Sequence, residues 1–439
     1  MDRHWSIEDA SAILAQQATL WLDDPHSWAY DADGGPTLVR LATRMGVSNR
    51  HLRRIFDAHL GLSPLQYLLT RKLLTAKQLL TDTALPVSQV AQASGFSSLR
   101  RFNAAFAAHY RLSPSQMRKQ PPRLAGEAWS TAGKPVALAW RPPLDASALM
   151  AFFKARQIEG IEAVDNGQAP SFRRTLRLSA AGAEHRGWFC VRFEPEAHRA
   201  CLRVSDGLLG ALPNVIWRVR ALLDLDADPT EINASLTASF PGGDGLRVPG
   251  CVDGFELAVR AILGQQITVA AARTLASRLA ERLGEPLSTP FPKIDRLFPT
   301  AHAIAASPPD TLGDLGIVRQ RQAALQSLAR AVLHGELTLD PHANLQSTIG
   351  ALQELPGIGP WTAQYIAMRA LRQPDAWPVG DVALTKALGL QDHRGREAQL
   401  EAERRSQIWR PWRSYAVIRA WAGTQSAASA TNKPMESSE

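Results

Sequence analysis

The chain has 439 residues, length for about two to four domains, and its 49 Lys and Arg outnumber 41 Asp and Glu to leave a formal charge of +8, which favours a polyanionic partner. Its three cysteines, Cys190, Cys201 and Cys251, lack CxxC spacing, which argues against a disulfide framework or a cysteine-rich zinc site. No apolar run reaches membrane-spanning length and the acidic first residues do not read as a secretory signal, so a cytoplasmic protein without a membrane partner is expected.

An internal repeat organises the first part of the chain. Leu41-Ala42-Thr43-Arg44-Met45-Gly46-Val47-Ser48 returns as Val90-Ala91-Gln92-Ala93-Ser94-Gly95-Phe96-Ser97. The copies run on to Phe56 and Phe106 and close with Leu62-Ser63-Pro64 and Leu112-Ser113-Pro114. In each, a helix stops at glycine, turns, and restarts at a serine suited to capping. This is a helix-turn-helix signature, present twice. The restarted helices carry the candidate base readers: Asn49, Arg50, His51, Arg53 and Arg54 in one, Ser98, Arg100, Arg101 and Asn103 in the other. Arginine can fork onto guanine and asparagine onto adenine in the major groove. Through residue 120 the chain holds 14 basic and 9 acidic side chains, so most of the excess charge sits here. The arrangement resembles the DNA-binding domain of AraC-type regulators over about residues 21–120, which implies two motifs entering adjacent major grooves.

Residues 121–134 read as a Pro- and Gly-containing linker. Beyond it, Val136–Trp140, Arg174–Leu178 and Trp188–Phe193 read as strands, with a helix over Leu144–Gln157. A small α+β unit over 135–205 is expected. From 206 to 425 the pattern is helical. Phe255–Gln266 reads as an amphipathic helix running into Gly264-Gln265-Gln266, and similar stretches follow at 311–334, 345–354, 360–372, 381–389, 396–408 and 412–422. The polar residues 426–439 read as a disordered tail.

Within that helical region lies Leu355-Pro356-Gly357-Ile358-Gly359-Pro360-Trp361-Thr362-Ala363. Two glycines at this spacing let a tight turn press its backbone against a partner, and the helix that follows starts with free N–H groups. Such an end attracts phosphate through those donors and its dipole. Asp381, in Pro378-Val379-Gly380-Asp381-Val382-Ala383-Leu384-Thr385-Lys386, can cap the next helix and also act as a reacting carboxylate. Trp361 and Tyr365 lie four apart and share a helical face. Asp375 and Asp392 read as surface residues.

These motifs resemble the helix-hairpin-helix/Gly-Pro-Asp superfamily of DNA glycosylases. With Leu263-Gly264-Gln265, Trp409-Arg410-Pro411-Trp412-Arg413-Ser414-Tyr415 and the order RPP, FRRT, GW in the α+β unit, the match points to the AlkA-like 3-methyladenine branch. The resemblance implies that Asp381 is catalytic, that Gly357, Ile358, Gly359 and Thr362 grip the DNA backbone, and that Trp361, Tyr365 and Trp421 form the base surface. Gln266 takes the place of the side chain that plugs the vacated stack, where the best-known member uses leucine. Trp409 and Trp412 read as packing. Backbone carbonyls of Gln353, Leu355 and Ile358 match those that cup a structural Na+ or K+; no other cofactor is required. Trp361 stands where strand-cleaving relatives carry a lysine, so a monofunctional enzyme is expected.

The expected fold is multidomain and mainly α: a double helix-turn-helix domain (1–120), the linker, an α+β unit of the TBP-like kind, an all-α helix-hairpin-helix glycosylase domain (206–425) and the tail. The expected partners are duplex DNA with alkylated bases, promoter DNA and RNA polymerase, for a monomer at the bacterial nucleoid. The chain resembles adaptive-response fusions without their methyl-accepting cysteine–zinc module, since no cysteine precedes residue 190. The alternative is a regulator of the alkylation response whose C-terminal half only binds DNA.

Overall fold

The computed structural model describes residues 3–28, 37–83, 85–118, 134–180, 182–392 and 395–431. The first domain contains α1 (Arg3–Asp23), α2 (Thr37–Arg44), α3 (Asn49–Leu60), α4 (Pro64–Asp82), α5 (Val87–Ala93), α6 (Leu99–Tyr110) and α7 (Pro114–Met117). Both repeats fold as helix-turn-helix pairs, α2–α3 and α5–α6. Their turns pass through Gly46 at φ +65° and Gly95 at φ +74°, a left-handed conformation that glycine adopts without strain. Ser48 caps α3, its Oγ accepting from His51 N–H. The second copy differs: the cap is Ser98, which accepts from Arg101 N–H, and not Ser97. Its turn is therefore one residue longer, and Ser98, expected among the base readers, is the start of the helix. Leu41, Leu52 and Phe56 bury against Trp21 and Trp28 to form the core of the first motif.

The sheet contains β1 (Lys134–Ala139), β2 (Glu162–Asp165), β3 (Ser171–Ala180), β4 (Ala183–Glu194) and β5 (Arg199–Val204), all antiparallel in the order β1-β5-β4-β3-β2. The linker expected at 121–134 falls outside the described residues up to 133, and Lys134 already opens β1. Two helices, α8 (Ala146–Arg156) and α9 (Leu212–Leu222), cover the sheet. Met150 and Phe153 of α8 and Val215 and Val219 of α9 share one buried cluster with Val136, Phe189 and Leu202. The unit therefore does not stop at 205; the helical period of α9 looks the same in sequence as that of the helices beyond it. The same cluster takes in Leu73 and Leu79 of α4, the helix that joins the two motifs, and Phe102 and Phe106 of α6 in the second motif. Gln78 Nε2 donates to Ala137 O at 3.3 Å across this junction. Apolar contact seats the helix-turn-helix domain on the sheet.

The remaining helices are α10 (Pro229–Leu236), α11 (Gly254–Leu263), α12 (Val269–Leu283), α13 (Ala301–Ala305), α14 (Pro309–Asp314), α15 (Arg319–Leu333), α16 (Leu345–Glu354), α17 (Pro360–Arg369), α18 (Val382–Ala387), α19 (Arg396–Ser406) and α20 (Arg413–Thr431). Four expectations change. The stretch 311–334 is two helices, α14 and α15, separated by Gly316 at φ +84°. α11 ends at Leu263, before the two glutamines. α20 continues to Thr431, into the segment expected to be disordered from 426, where its alanines favour helix; residues 432–439 lie outside the described ones. Asp375 is not a bare surface residue either: Arg413 Nε donates to its Oδ1 at 2.7 Å. α17 is wedged between two cores, with Ala363 and Ile366 in that of α11, α12 and α15, and Ala367 and Met368 in that of Trp377, Trp409 and Val417. The hairpin before α17 thus stands on a rigid base.

Candidate active site

Asp381 is the N-cap of α18, its Oδ1 accepting from Leu384 N–H at 2.8 Å. The same oxygen accepts from the indole N–H of Trp421 at 3.1 Å, and Oδ2 accepts from that of Trp361 at 2.9 Å. The cap fixes the carboxyl, and two tryptophans from α17 and α20 orient it. It is only 9% exposed, yet it lines a cleft of about 520 Å³ between the sheet and the helices. That volume suits a small ring ligand.

The four residues expected at the chemical centre come together here. Trp361 and Tyr365 stack with ring centres 5.1 Å apart and planes at 11°, and Trp421 tilts at 37° to Tyr365 with centres 6.3 Å apart. One wall of the cleft is thus flat and aromatic. Behind it stand arginines that the sequence did not reveal. Arg369 Nη1 donates to the Tyr365 hydroxyl at 2.6 Å, while its Nε and Nη2 donate to Pro249 O and Gly250 O. Burial alone would push the Tyr365 phenol up, but Arg369 and Arg156 outweigh it and hold the phenol below its ordinary value. Deeper in the cleft, Arg174 pairs with Glu162 and Glu256 at 3.0 and 2.7 Å, and Arg260 with the same two carboxylates at 2.8 and 2.6 Å. This quartet joins sheet to α11, and its charges cancel among themselves. Cys251 also lines the cleft, where burial pushes its thiol up to about 12 and makes it a poor nucleophile.

The hairpin leads directly into Trp361, its one member that lines the cleft. Gly357, at φ +80°, makes the turn; a side chain there would meet Ala324 Cβ at 3.3 Å. Gly359 has an ordinary φ of −88° and open space around it, so the fold does not demand glycine there. Its bareness leaves the backbone open to close approach from outside. It is also the N-cap of α17, with no side chain capping that helix. Ile358 and Thr362 are buried, 4% and 3% exposed. Gln353 lies in the last turn of α16; Leu355 leaves that helix in an extended conformation, its N–H donating to Leu352 O and its carbonyl accepting from Ile358 N–H, both at 3.2 Å. Gln266 is exposed on the loop between α11 and α12 with a left-handed φ of 55°. Trp409 is buried, its indole donating to Ser239 Oγ, and Trp412 packs edge-on against Tyr415, as packing residues would.

In the helix-turn-helix domain, Asn49, Arg50, Arg53 and Arg54 are exposed on α3, and Arg100, Arg101 and Asn103 on α6. His51 is half-buried and its Nδ1 lies 2.8 Å from Arg54 Nη2. Among the described residues no cluster of His, Cys, Asp and Glu could hold a metal ion, and no helix is long and apolar enough to cross a membrane.

Family models match all three parts: a helix-turn-helix domain at residues 41–120, the AlkA N-terminal domain at 135–253, and the HhH-GPD superfamily of base excision DNA repair proteins at 259–414. A protein of Mycobacterium tuberculosis, named "Probable bifunctional transcriptional activator/DNA repair enzyme AlkA", is 35% identical over 427 residues, 95% of this chain and 81% of its own length. The chain belongs to the AlkA family of DNA glycosylases. A relative without the helix-turn-helix part matches too: DNA-3-methyladenine glycosylase 2 of Escherichia coli is 34% identical over 284 residues, 65% of this chain and 95% of that one. The fold agrees with the solved 3-methyladenine DNA-glycosylase of Archaeoglobus fulgidus at a TM-score of 0.54 and 19% identity, over 66% of this chain and 98% of that one. Like that AlkA N-terminal model, the sheet unit extends well past residue 205.

Proposed function

We propose that the chain hydrolyses the N-glycosidic bond of alkylated purines, of the 3-methyladenine and 7-methylguanine class, in duplex DNA, and that it does so without cutting the strand. The observation that carries this reading is the Asp381 carboxyl, held by two indole N–H groups in an aromatic-walled cleft beside an uncapped helix start. A base inside a duplex is out of reach, so its nucleotide must be everted, at a cost of a few kcal/mol in lost stacking. The hairpin amides hold the strand, the exposed Gln266 fills the gap, and the base enters against Trp361, Tyr365 and Trp421. As the C1′–N bond lengthens, the sugar gains positive charge facing the carboxylate. Water oxygen bonds to C1′ and its proton passes to Asp381 and on to solvent. The purine leaves with the electron pair of the broken bond, which cancels the positive charge that alkylation gave it. An electron-rich wall favours such cationic rings over ordinary bases.

Trp361 offers no amine for attack on C1′, which supports a single hydrolytic step and an intact abasic product. The carbonyls of Gln353, Leu355 and Ile358 would hold a Na+ or K+, which supplies positive charge near a strand phosphate. Purified protein incubated with methylated duplex DNA should release free base and leave strands that break only after alkali, with no borohydride-trapped adduct. Breakage without alkali together with a trapped adduct would replace hydrolysis by a lyase mechanism.

The exposed arginines of α3 and α6 support a second role on promoter DNA, with RNA polymerase as the further partner of a nucleoid-associated monomer. A discrete footprint from the full chain on one sequence carries that role; protection that is uniform and abolished by salt reduces the domain to a DNA-holding arm.

A further inference from the structure

The loop between α11 and α12 holds Gln266 in a left-handed conformation, φ 55°, that non-glycine residues adopt only under strain. Something must over-determine that loop. Its neighbour Gln265 does so at several points. The Gln265 side-chain amide donates twice, to Gly357 O at 2.8 Å and to Thr362 Oγ1 at 3.0 Å, so both of its N–H bonds end on the hairpin. Its own carbonyl accepts from the Arg321 guanidinium on α15. Its backbone N–H donates to Ile262 O at 3.3 Å, closing α11. The hairpin leans on the same α15, where a side chain at Gly357 would press on Ala324.

We infer that Gln265, locked by Arg321, is a positioning residue that couples the strand-gripping hairpin to the Gln266 loop, so that the grip on phosphate and the filling of the vacated stack occur as one movement. This rests on the glycosylase reading above. Hydrophobic packing could hold either tip in place, but a side-chain amide with two donors aimed at the other tip fixes their relative position. Arg321 adds the charge-assisted bond that keeps the Gln265 backbone from relaxing out of the strained loop.

The test compares two duplexes carrying 7-methylguanine: one fully paired, the other with an abasic gap opposite the lesion, where there is no partner base to break from and little stack to fill. In the full chain, Gln265→Met keeps the length and apolar stem and removes both donors; Arg321→Met removes the lock. Each variant should lose about tenfold in single-turnover excision from the paired duplex, as for one or two neutral hydrogen bonds, and regain nearly the wild-type rate on the gapped duplex. The double variant should be no slower than the slower single one, because both act on one element. Asp381→Asn serves as control and should fail on both duplexes; if it excises normally from both, the glycosylase reading falls and the coupling falls with it. If Asp381→Asn behaves as expected while the Gln265 and Arg321 variants are unimpaired on the paired duplex, or are impaired equally on both, the coupling role is wrong and the reading of the cleft stands. A 2-aminopurine beside the lesion should show the same split, with slower fluorescence gain in both methionine variants.

Discussion

In the helix-turn-helix domain Arg50, Arg53, Arg100 and Arg101 stand exposed on α3 and α6, whereas in the cleft Asp381, Tyr365 and Arg369 each commit their polar atoms to protein partners. The two regions face the same polymer and are built for different tasks. Exposed, flexible arginines neutralise phosphate or read base edges, in increments that depend on salt. A carboxyl fixed by a helix cap and two indoles is preorganised, and its worth is realised only where charge develops. The shared core between α6 and the sheet means that the first kind of surface is mounted on the second rather than tethered beside it.

The contrast sharpens first at the tryptophans. Trp361→Phe and Trp421→Phe each delete one N–H donor to Asp381 while keeping an aromatic ring. Each should lower kcat roughly 10- to 100-fold, in line with about 1.5–3 kcal/mol for a hydrogen bond to a charged group, and move KM little. A rise in KM at constant kcat would show that the indoles serve only to hold the base. The converse change, Arg50, Arg53 and Arg54 all to alanine, should flatten the slope of log affinity against log salt by about 0.9 for each phosphate that the domain no longer neutralises, and leave excision from a short saturating duplex unchanged. An altered excision rate there would mean that the two surfaces are not separable.

A smaller effect lies at the junction of the halves. Burial pushes Asp224 up from 3.8 to about 6, although Arg372, the Tyr415 hydroxyl and other donors oppose it. Because the folded protein holds this proton more tightly than the unfolded chain, the stability it contributes is present below about pH 4 and is lost as pH rises through 6. In urea unfolding, Asp224→Asn should gain on the wild type by about 1–3 kcal/mol across that window. Parallel curves would contradict the assignment. Tyr415 lies at the start of α20, which also carries Trp421, so the same variant tests whether the mount of the cleft tolerates a neutral partner.

The sequence made the cleft legible because its members sit at helical spacing inside motif runs: Trp361 and Tyr365 share a face, and Asp381 follows a Pro-Val-Gly turn. The repeat made the two helix-turn-helix pairs legible as well, down to the serine caps, with an error of one residue at Ser98. Arg321 and Arg369 left no such trace, and Gln265 stood in a motif run that did not disclose what its side chain holds. Arg321 and Gln265 meet across 56 positions and Gln265 meets Gly357 across 92, which no local periodicity marks; Arg369 reaches Pro249 across 120, although its bond to Tyr365, four residues earlier on the same helix face, was a spacing the sequence did offer. The short strands β2 and β5 escaped notice for a related reason: Glu162–Asp165 is too brief to alternate, and β5 mixes two arginines among its apolar residues. The boundary at 205 failed because α9 has the period of the helical region and the burial of the sheet unit.

The most direct measurement is single-turnover release of free 7-methylguanine from duplex DNA by Asp381→Asn beside the Arg50, Arg53 and Arg54 alanine variant, both at saturating DNA. If one carboxylate carries the chemistry, the first falls by about 10²–10³ or more while still binding DNA, and the second releases base at the wild-type rate. Wild-type release by Asp381→Asn would contradict that claim outright.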